Sequence, residues 1–165
     1  MSDMRGLTVA LLGAVGVAML AAGPVMVVRG KEGRDEIRDE LRRQTITFPD
    51  KGLPAGLTPY AGRPVTTGPQ ARAYAQVIGD NVRQATGGRT YSEISAEFMA
   101  AGGEDENLAA LRQTAFMGET LRASLMGSYQ AWQLTSLVIG LGALLTGAGA
   151  AFVAAGAALA SGDDR

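Results

Sequence analysis

Hydrophobic and polar residues are sharply separated along the chain, beginning with an apolar run behind a short tail. No charged residue occurs from Gly6 to Val28. Because a helix rises about 1.5 Å per residue, roughly 20 apolar residues cross a hydrocarbon layer of about 30 Å. The run therefore predicts a transmembrane helix over residues 7–28, behind an N-terminal tail of residues 1–6.

A cleaved signal peptide is the alternative interpretation of this run. Cleavage after Ala22 would place the large Leu20 at the −3 position, where signal peptides carry small residues. Cleavage after Gly23 would place Pro24 directly behind the cut. Both sites are unfavourable, so we prefer an uncleaved anchor.

A second uncharged run extends from Ala123 to Gly162, about twice the length that one span needs. Tyr129 and Trp132 lie near its start, and amphipathic rings are favoured at the membrane–water interface. The second transmembrane helix is therefore predicted over residues 134–160, followed by a C-terminal tail of residues 161–165.

The predicted helical loop domain, residues 29–131, begins with a charged segment that predicts a solvated helical stalk over residues 29–44. Opposite charges recur three or four positions apart, where helical side chains are neighbours and each pair contributes about 0.2–0.5 kcal/mol. The pairs are Lys31 with Asp35, Asp35 with Arg38, and Asp39 with Arg42 and Arg43. Ile37 and Leu41 form a narrow apolar stripe that suits a partner helix.

A loop rich in proline and glycine is predicted over residues 45–68, and three helices follow it. The first covers residues 69–86, with Pro69 in its first turn and Gly87 after its end. The second covers residues 91–101 and begins with a capping-box pattern at Thr90 and Glu93. The third covers residues 105–131 and has no strong breaker before the second span.

These elements predict an all-α membrane protein. Its two transmembrane helices extend into a helical hairpin, and a small helical cap domain lies between them.

Small residues recur at every fourth position in both predicted spans, and such a row lets two helices approach closely in lipid. We expect these stripes to join the two spans of one chain; a homo-oligomer or a larger membrane complex is the alternative. The stripe residues are Gly6, Ala10, Ala14, Ala18 and Ala22 in the first span and Gly142, Thr146, Ala150, Ala154 and Ala158 in the second.

The composition excludes several kinds of chemistry. The chain has no histidine and no cysteine, which removes zinc sites, histidine-ligated iron sites and Ser-His-Asp triads. Neither span has an ionisable residue, and a transporter or channel would need one or a polar lining, so these roles are disfavoured. The 15 basic and 16 acidic residues nearly cancel, so no global field attracts nucleic acid. We expect no enzyme, no metal and no cofactor.

Four segments occur in this order between the two predicted spans: ITFP at 46–49, YAGRPVTTGPQARAYAQVI at 60–78, TGGRTYSEIS at 86–95 and FMGETLRASLMGSYQAW at 116–132. This pattern resembles a family of small actinobacterial two-span membrane proteins of unknown role. Many such proteins carry an automatic label of aromatic ring-opening dioxygenase, a reaction whose iron site needs histidine ligands. The resemblance implies no established activity and no catalytic residues.

Glu119 and Arg122 in the last of these segments are the candidate functional residues. They are three positions apart and can pair across one helical turn, just outside the predicted membrane. One interpretation is an ion pair that fastens the long helix to the stalk or cap. The other is a contact with an anionic lipid headgroup or a partner, with Arg122 as the donor.

The sidedness of the chain is predicted from its flanking charges and the resemblance. Arg29, Lys31 and Arg34 favour a cytoplasmic loop domain, but the loop is longer than those to which that rule applies. Arg5 ahead of an apolar run resembles a signal anchor, and the family resemblance points the same way. We therefore predict an integral plasma-membrane protein with both termini cytoplasmic and the loop domain extracytoplasmic.

Three functions are consistent with these predictions. The preferred one is a non-enzymatic structural or interaction protein that contacts membrane lipids and binds a membrane or envelope protein or a second copy of itself. The others are an accessory subunit of a larger membrane complex and a ligand-binding sensor ectodomain. In the sensor, Tyr60, Tyr74 and Tyr91 would line a small pocket.

Overall fold

The helical signals of the sequence produce a chain that is 83% helix, with no strand among residues 2–161, which the computed structural model describes. The helices are α1 (Ser2–Arg43), α2 (Gly68–Thr86), α3 (Tyr91–Ala100) and α4 (Glu106–Ser161), with a 3-10 helix at Ala55–Tyr60. Both α1 and α4 are long and apolar enough to cross a membrane. Their most apolar 18-residue windows have mean hydropathies of 2.3 and 2.1.

Local end signals explain where the shorter helices begin and end. The Thr67 hydroxyl accepts a hydrogen bond from the Gln70 amide at the start of α2, and Gly87 ends that helix with a φ of 63°. Thr90 and Glu93 form both hydrogen bonds of a capping box at the start of α3. The Thr90 amide and the Thr90 hydroxyl both donate to the Glu93 carboxylate. These two hydrogen bonds lower the pKa of Glu93, and the amide has the larger effect.

The chain divides into two compact units. The first, which we call the apolar pair, contains α1 up to Glu36 and α4 from Gln133. The second, which we call the intervening unit, comprises Ile37–Trp132. Because α1 ends at Arg43 and α4 begins at Glu106, the predicted stalk is the C-terminal part of α1 and the predicted third helix is the N-terminal part of α4.

The two helices of the apolar pair are antiparallel and meet at glycines spaced seven residues apart. The buried glycines are Gly16, Gly23 and Gly30 in α1 and Gly142, Gly149 and Gly156 in α4. A Cβ atom placed on Gly142 would lie 2.6 Å from the Gly23 carbonyl oxygen, and one on Gly149 would lie 2.7 Å from the Gly16 oxygen. The backbones therefore approach as closely as glycine alone permits.

The predicted packing stripes differ from this contact. In α1 the whole stripe is exposed: Gly6, Ala10, Ala14, Ala18 and Ala22. In α4, Gly142 is buried and Thr146 half-buried, but the remaining three are exposed: Ala150, Ala154 and Ala158. The prediction that the stripes join the two spans of one chain is therefore wrong for eight of these ten positions.

Helix geometry gives the reason for this error. A helix turns about 100° per residue, so a four-residue row drifts by about 40° at each step. Such a row suits a partner helix that crosses at a larger angle, and not one that runs alongside for many turns. A seven-residue row drifts by only about 20° and stays against a partner helix that coils gently around it. The seven-residue glycine spacing, and not the four-residue row, identifies the contact.

The intervening unit has its own apolar core. Phe48 is 2% exposed and stacks on Tyr60, with ring centroids 5.1 Å apart and planes inclined by 18°. Tyr74, which lies on α2, meets the Phe48 ring edge to face, with ring centroids 5.1 Å apart. The other buried members are Leu41, Val65, Ala71, Ala73, Ala75, Val77 and Leu125.

The proline-rich segment is more ordered than a loop. Thr47 and Pro64 form an isolated antiparallel bridge. Around it, the Val65 amide donates to the Ile46 carbonyl at 2.8 Å and the Phe48 amide donates to the Arg63 carbonyl at 3.0 Å. These bonds close the segment around the 3-10 helix and bring Phe48 into the core.

Candidate functional site

Glu119 and Arg122 form an ion pair within α4, at 3.1 Å between Oε2 and Nη1. Both side chains are about half exposed, at 50% and 49%. Arg122 also lies beside α2, because a Cβ atom placed on the buried Gly79 would be only 3.4 Å from its Nε atom. The pair therefore does not bridge two helices, but the arginine contributes to a surface that α2 and α4 share.

A cleft of about 670 Å³ lies at this surface, between α2, α4 and the 3-10 helix. Its charged lining is Arg72, Asp80, Arg83, Glu119 and Arg122. Leu57 and Met126 contribute apolar side chains, and Pro54 lies at the edge next to the 3-10 helix. We call this site the arginine cleft.

The arginines of α2 were not predicted as site residues. Arg72, Gln76, Asp80 and Arg83 recur at helical spacing and lie on one face of α2. That polar face was visible in the sequence, but nothing local indicated that it meets the Glu119 face of α4.

Each arginine of the cleft has a defined partner. Arg83 pairs with Asp80 one turn earlier on α2. Arg72 donates from Nη1 to the Tyr129 hydroxyl at 3.2 Å, and its guanidinium carbon lies 5.2 Å from the centroid of that ring. Two of the three arginines are thus paired with a carboxylate, whereas Arg72 contacts the hydroxyl and ring of a tyrosine.

Small residues on α2 provide the depth of the cleft. Ala75 and Gly79 line it and are both buried. A larger side chain at position 79 would press on Arg122, so glycine there leaves both the space and the arginine in place.

A second concavity of about 580 Å³ lies elsewhere between α2 and α4 and has a different character. Its lining contains no charged residue and includes the exposed side chains of Met117 and Leu121. Beside this concavity, Val82 of α2 packs directly against Gly118 of α4.

Two of the three tyrosines of the predicted sensor pocket, Tyr60 and Tyr74, contact the ring of Phe48 within the core. Tyr91 instead contacts Phe116, with centroids 5.9 Å apart. None of the three lines either of the two cavities described above.

Among residues 2–161, no group of three or more carboxylate side chains is arranged to hold a metal ion. The chain matches no known protein family, no curated protein and no solved structure in the comparisons made with each. Function must therefore be argued from the site itself.

Proposed function

We propose that this chain is a non-enzymatic, membrane-anchored interaction protein. In this proposal α1 and α4 cross the plasma membrane as an uncleaved pair, and they continue as a helical hairpin that carries the intervening unit as an extracytoplasmic cap. The resemblance to two-span proteins with a domain between the spans supports the same arrangement.

The observation that carries the proposal is that one row of small residues forms the contact between α1 and α4, while a second row on α1 is exposed. The glycine row accounts for the contact between α1 and α4. The alanine row Ala10, Ala14, Ala18 and Ala22 is exposed on α1 and remains available for another helix. In lipid, where apolar surface alone drives no association, a row of small residues is a surface that favours close helix contact.

The glycine contact also argues against signal-peptide cleavage. A cut after Ala22 or Gly23 would remove Gly16 and the surface that covers Gly149. The uncharged part of α4 would then lose its partner around Gly149. An uncleaved α1 is therefore the form that the packing favours.

We expect Ala14→Leu together with Ala18→Leu to reduce association of the chain with its partner in the membrane. The added side chains remove the close approach but leave the glycine contact unchanged. The measurement is the mass of the protein extracted in a mild detergent, by light scattering. The measured mass of the wild-type protein should exceed that of one chain, because the chain either self-associates or carries a bound protein of defined stoichiometry.

The matched control is Leu144→Ala. Leu144 is 67% exposed and belongs to no small-residue row. This variant should keep the wild-type mass. A wild-type protein that is a single chain with nothing bound would contradict the proposal.

Sidedness is tested with two cysteine variants, since the native chain has no cysteine. Ser92 is an exposed residue of α3 in the intervening unit. We expect Ser92→Cys to react with a membrane-impermeant maleimide in intact cells, and Ser2→Cys to react only after lysis. The reverse pattern would place the intervening unit in the cytoplasm.

A further inference from the structure

We propose that the arginine cleft binds an amphiphile with one negative charge, in which a phosphodiester or carboxylate group is attached to an apolar body. This inference concerns a ligand site within the intervening unit and does not depend on the membrane partner proposed above.

The charge of the cleft indicates a monoanion. Three arginines face two carboxylates, and each carboxylate is paired with the arginine one turn along its own helix. Arg72 instead donates to the hydroxyl of Tyr129 and has no carboxylate of its own in the lining. A ligand with one negative charge would make the net charge of the cleft zero, whereas a dianion would leave the cleft with one net negative charge.

The arginines have donors to spare for such a ligand. A guanidinium group carries five N–H donors in a planar fork that matches carboxylate and phosphate oxygens. Arg122 donates to Glu119 through Nη1 only, and Arg83 donates to Asp80 through Nη2 only. Exposed pairs of this kind contribute little to stability, so a ligand can recruit these groups at little cost.

The remaining lining indicates that the ligand also has an apolar part. Leu57 and Met126 are half-buried, and Ala75 and Gly79 form a floor without polar side chains. The volume of about 670 Å³ lies within the roughly 300–1,000 Å³ of sites for small molecules. An inorganic anion would leave the apolar lining uncovered.

The test uses the full-length protein in nanodiscs of phosphatidylcholine, with the thermal unfolding midpoint as the readout. Oleate is the probe for a free amphiphile, phosphatidylglycerol mixed into the nanodisc is the probe for a bilayer lipid, and inorganic phosphate lacks an apolar body. We expect oleate or phosphatidylglycerol to raise the midpoint and phosphate to leave it unchanged. Whichever of the two amphiphiles acts identifies the source of the ligand.

Variants link the shift to the cleft. Arg72→Gln together with Arg122→Gln should weaken binding of the active amphiphile at least ten-fold. Arg42→Gln is the matched control, because it breaks an exposed pair with Asp39 of the same spacing outside the cleft, and it should bind as wild type does.

A variant that strengthens binding separates the proposal from a folding defect. Asp80→Asn removes one carboxylate and releases Arg83, so the active amphiphile should bind several-fold more tightly than to wild type. The proposal is overturned if neither amphiphile raises the unfolding midpoint, or if inorganic phosphate raises it as much as the active amphiphile does. It is also overturned if the double arginine variant binds normally or Asp80→Asn weakens binding.

Discussion

Gly142→Ala is expected to destabilise the apolar pair, whereas Gly140→Ala in the same helix is not. A Cβ atom at position 142 would lie 2.6 Å from the Gly23 carbonyl oxygen, 2.9 Å from Val27 Cγ2 and 3.0 Å from Met26 Cβ. At position 140 it would meet nothing within 4 Å. The two variants thus make the same chemical change two residues apart, in opposite environments.

The cost arises because the closest atom is part of the backbone. A side chain can rotate away, but the Gly23 carbonyl is fixed by its helix, so α1 and α4 must separate. Separation weakens the dispersion contacts that hold helices together in an apolar medium. Overpacking of this kind costs about 1–3 kcal/mol, while alanine at an open helical position is neutral or favourable by up to about 1 kcal/mol.

The measurement is unfolding of the full-length protein in mixed micelles with increasing dodecyl sulfate, followed by far-ultraviolet circular dichroism. Gly142→Ala should unfold at a lower dodecyl sulfate fraction than Gly140→Ala. The double variant with Gly23→Ala should cost less than the sum of the two single variants, because the first substitution already separates the helices at that point. Equal midpoints for the positions 140 and 142 variants would contradict the glycine contact.

The sequence predicts helix ends well because their causes are local. Thr67, Thr90 and Gly87 act within one turn of the helix that each bounds. The predicted helices 69–86 and 91–101 therefore lie within one residue of Gly68–Thr86 and Tyr91–Ala100. The apolar runs are equally local, since length and hydropathy alone give two helices that could span a membrane.

The contact face of the paired helices was harder to predict because α1 carries two rows of small residues. Either row permits close approach, and only the partner decides which is used. Gly16, Gly23 and Gly30 at seven-residue spacing were readable as a coiling pattern, but the more regular row at Ala10, Ala14 and Ala18 competed with it.

The candidate site was half predictable for a similar reason. The pair of Glu119 and Arg122 follows from helical spacing on α4. Its neighbours Arg72 and Asp80 are about 40 to 50 residues away along the chain and come close only through the packing of α2 on α4. No periodicity in a single helix indicates which face of another helix it will meet.

Phe48→Ala is expected to have the largest effect on the intervening unit. Phe48 is the largest of its fully buried side chains, and it contacts Tyr60 from the 3-10 helix and Tyr74 from α2. Truncating a buried phenylalanine costs about 3–5 kcal/mol, a large part of the roughly 5–15 kcal/mol that stabilises a typical domain.

The matched control is Phe116→Ala, which also removes a phenyl ring that contacts a tyrosine. Phe116 is 50% exposed, so the cavity and transfer costs are much smaller, and we expect a loss below about 1 kcal/mol. Near-ultraviolet circular dichroism and trypsin cleavage at the exposed Lys51 report on the unit that contains both residues. Phe48→Ala should lose the tyrosine signal and be cut rapidly, while Phe116→Ala resembles wild type.

The same variant tests whether the segment around Phe48 is a structural element or a passive linker. If the bridge between Thr47 and Pro64 existed only to connect α1 with α2, removing one ring from it would change little. The ring instead ties the segment to α2, whose face carries Arg72 and Asp80 of the arginine cleft. Phe48→Ala should therefore also abolish amphiphile binding, although Phe48 does not line the cleft, and Phe116→Ala should leave binding intact.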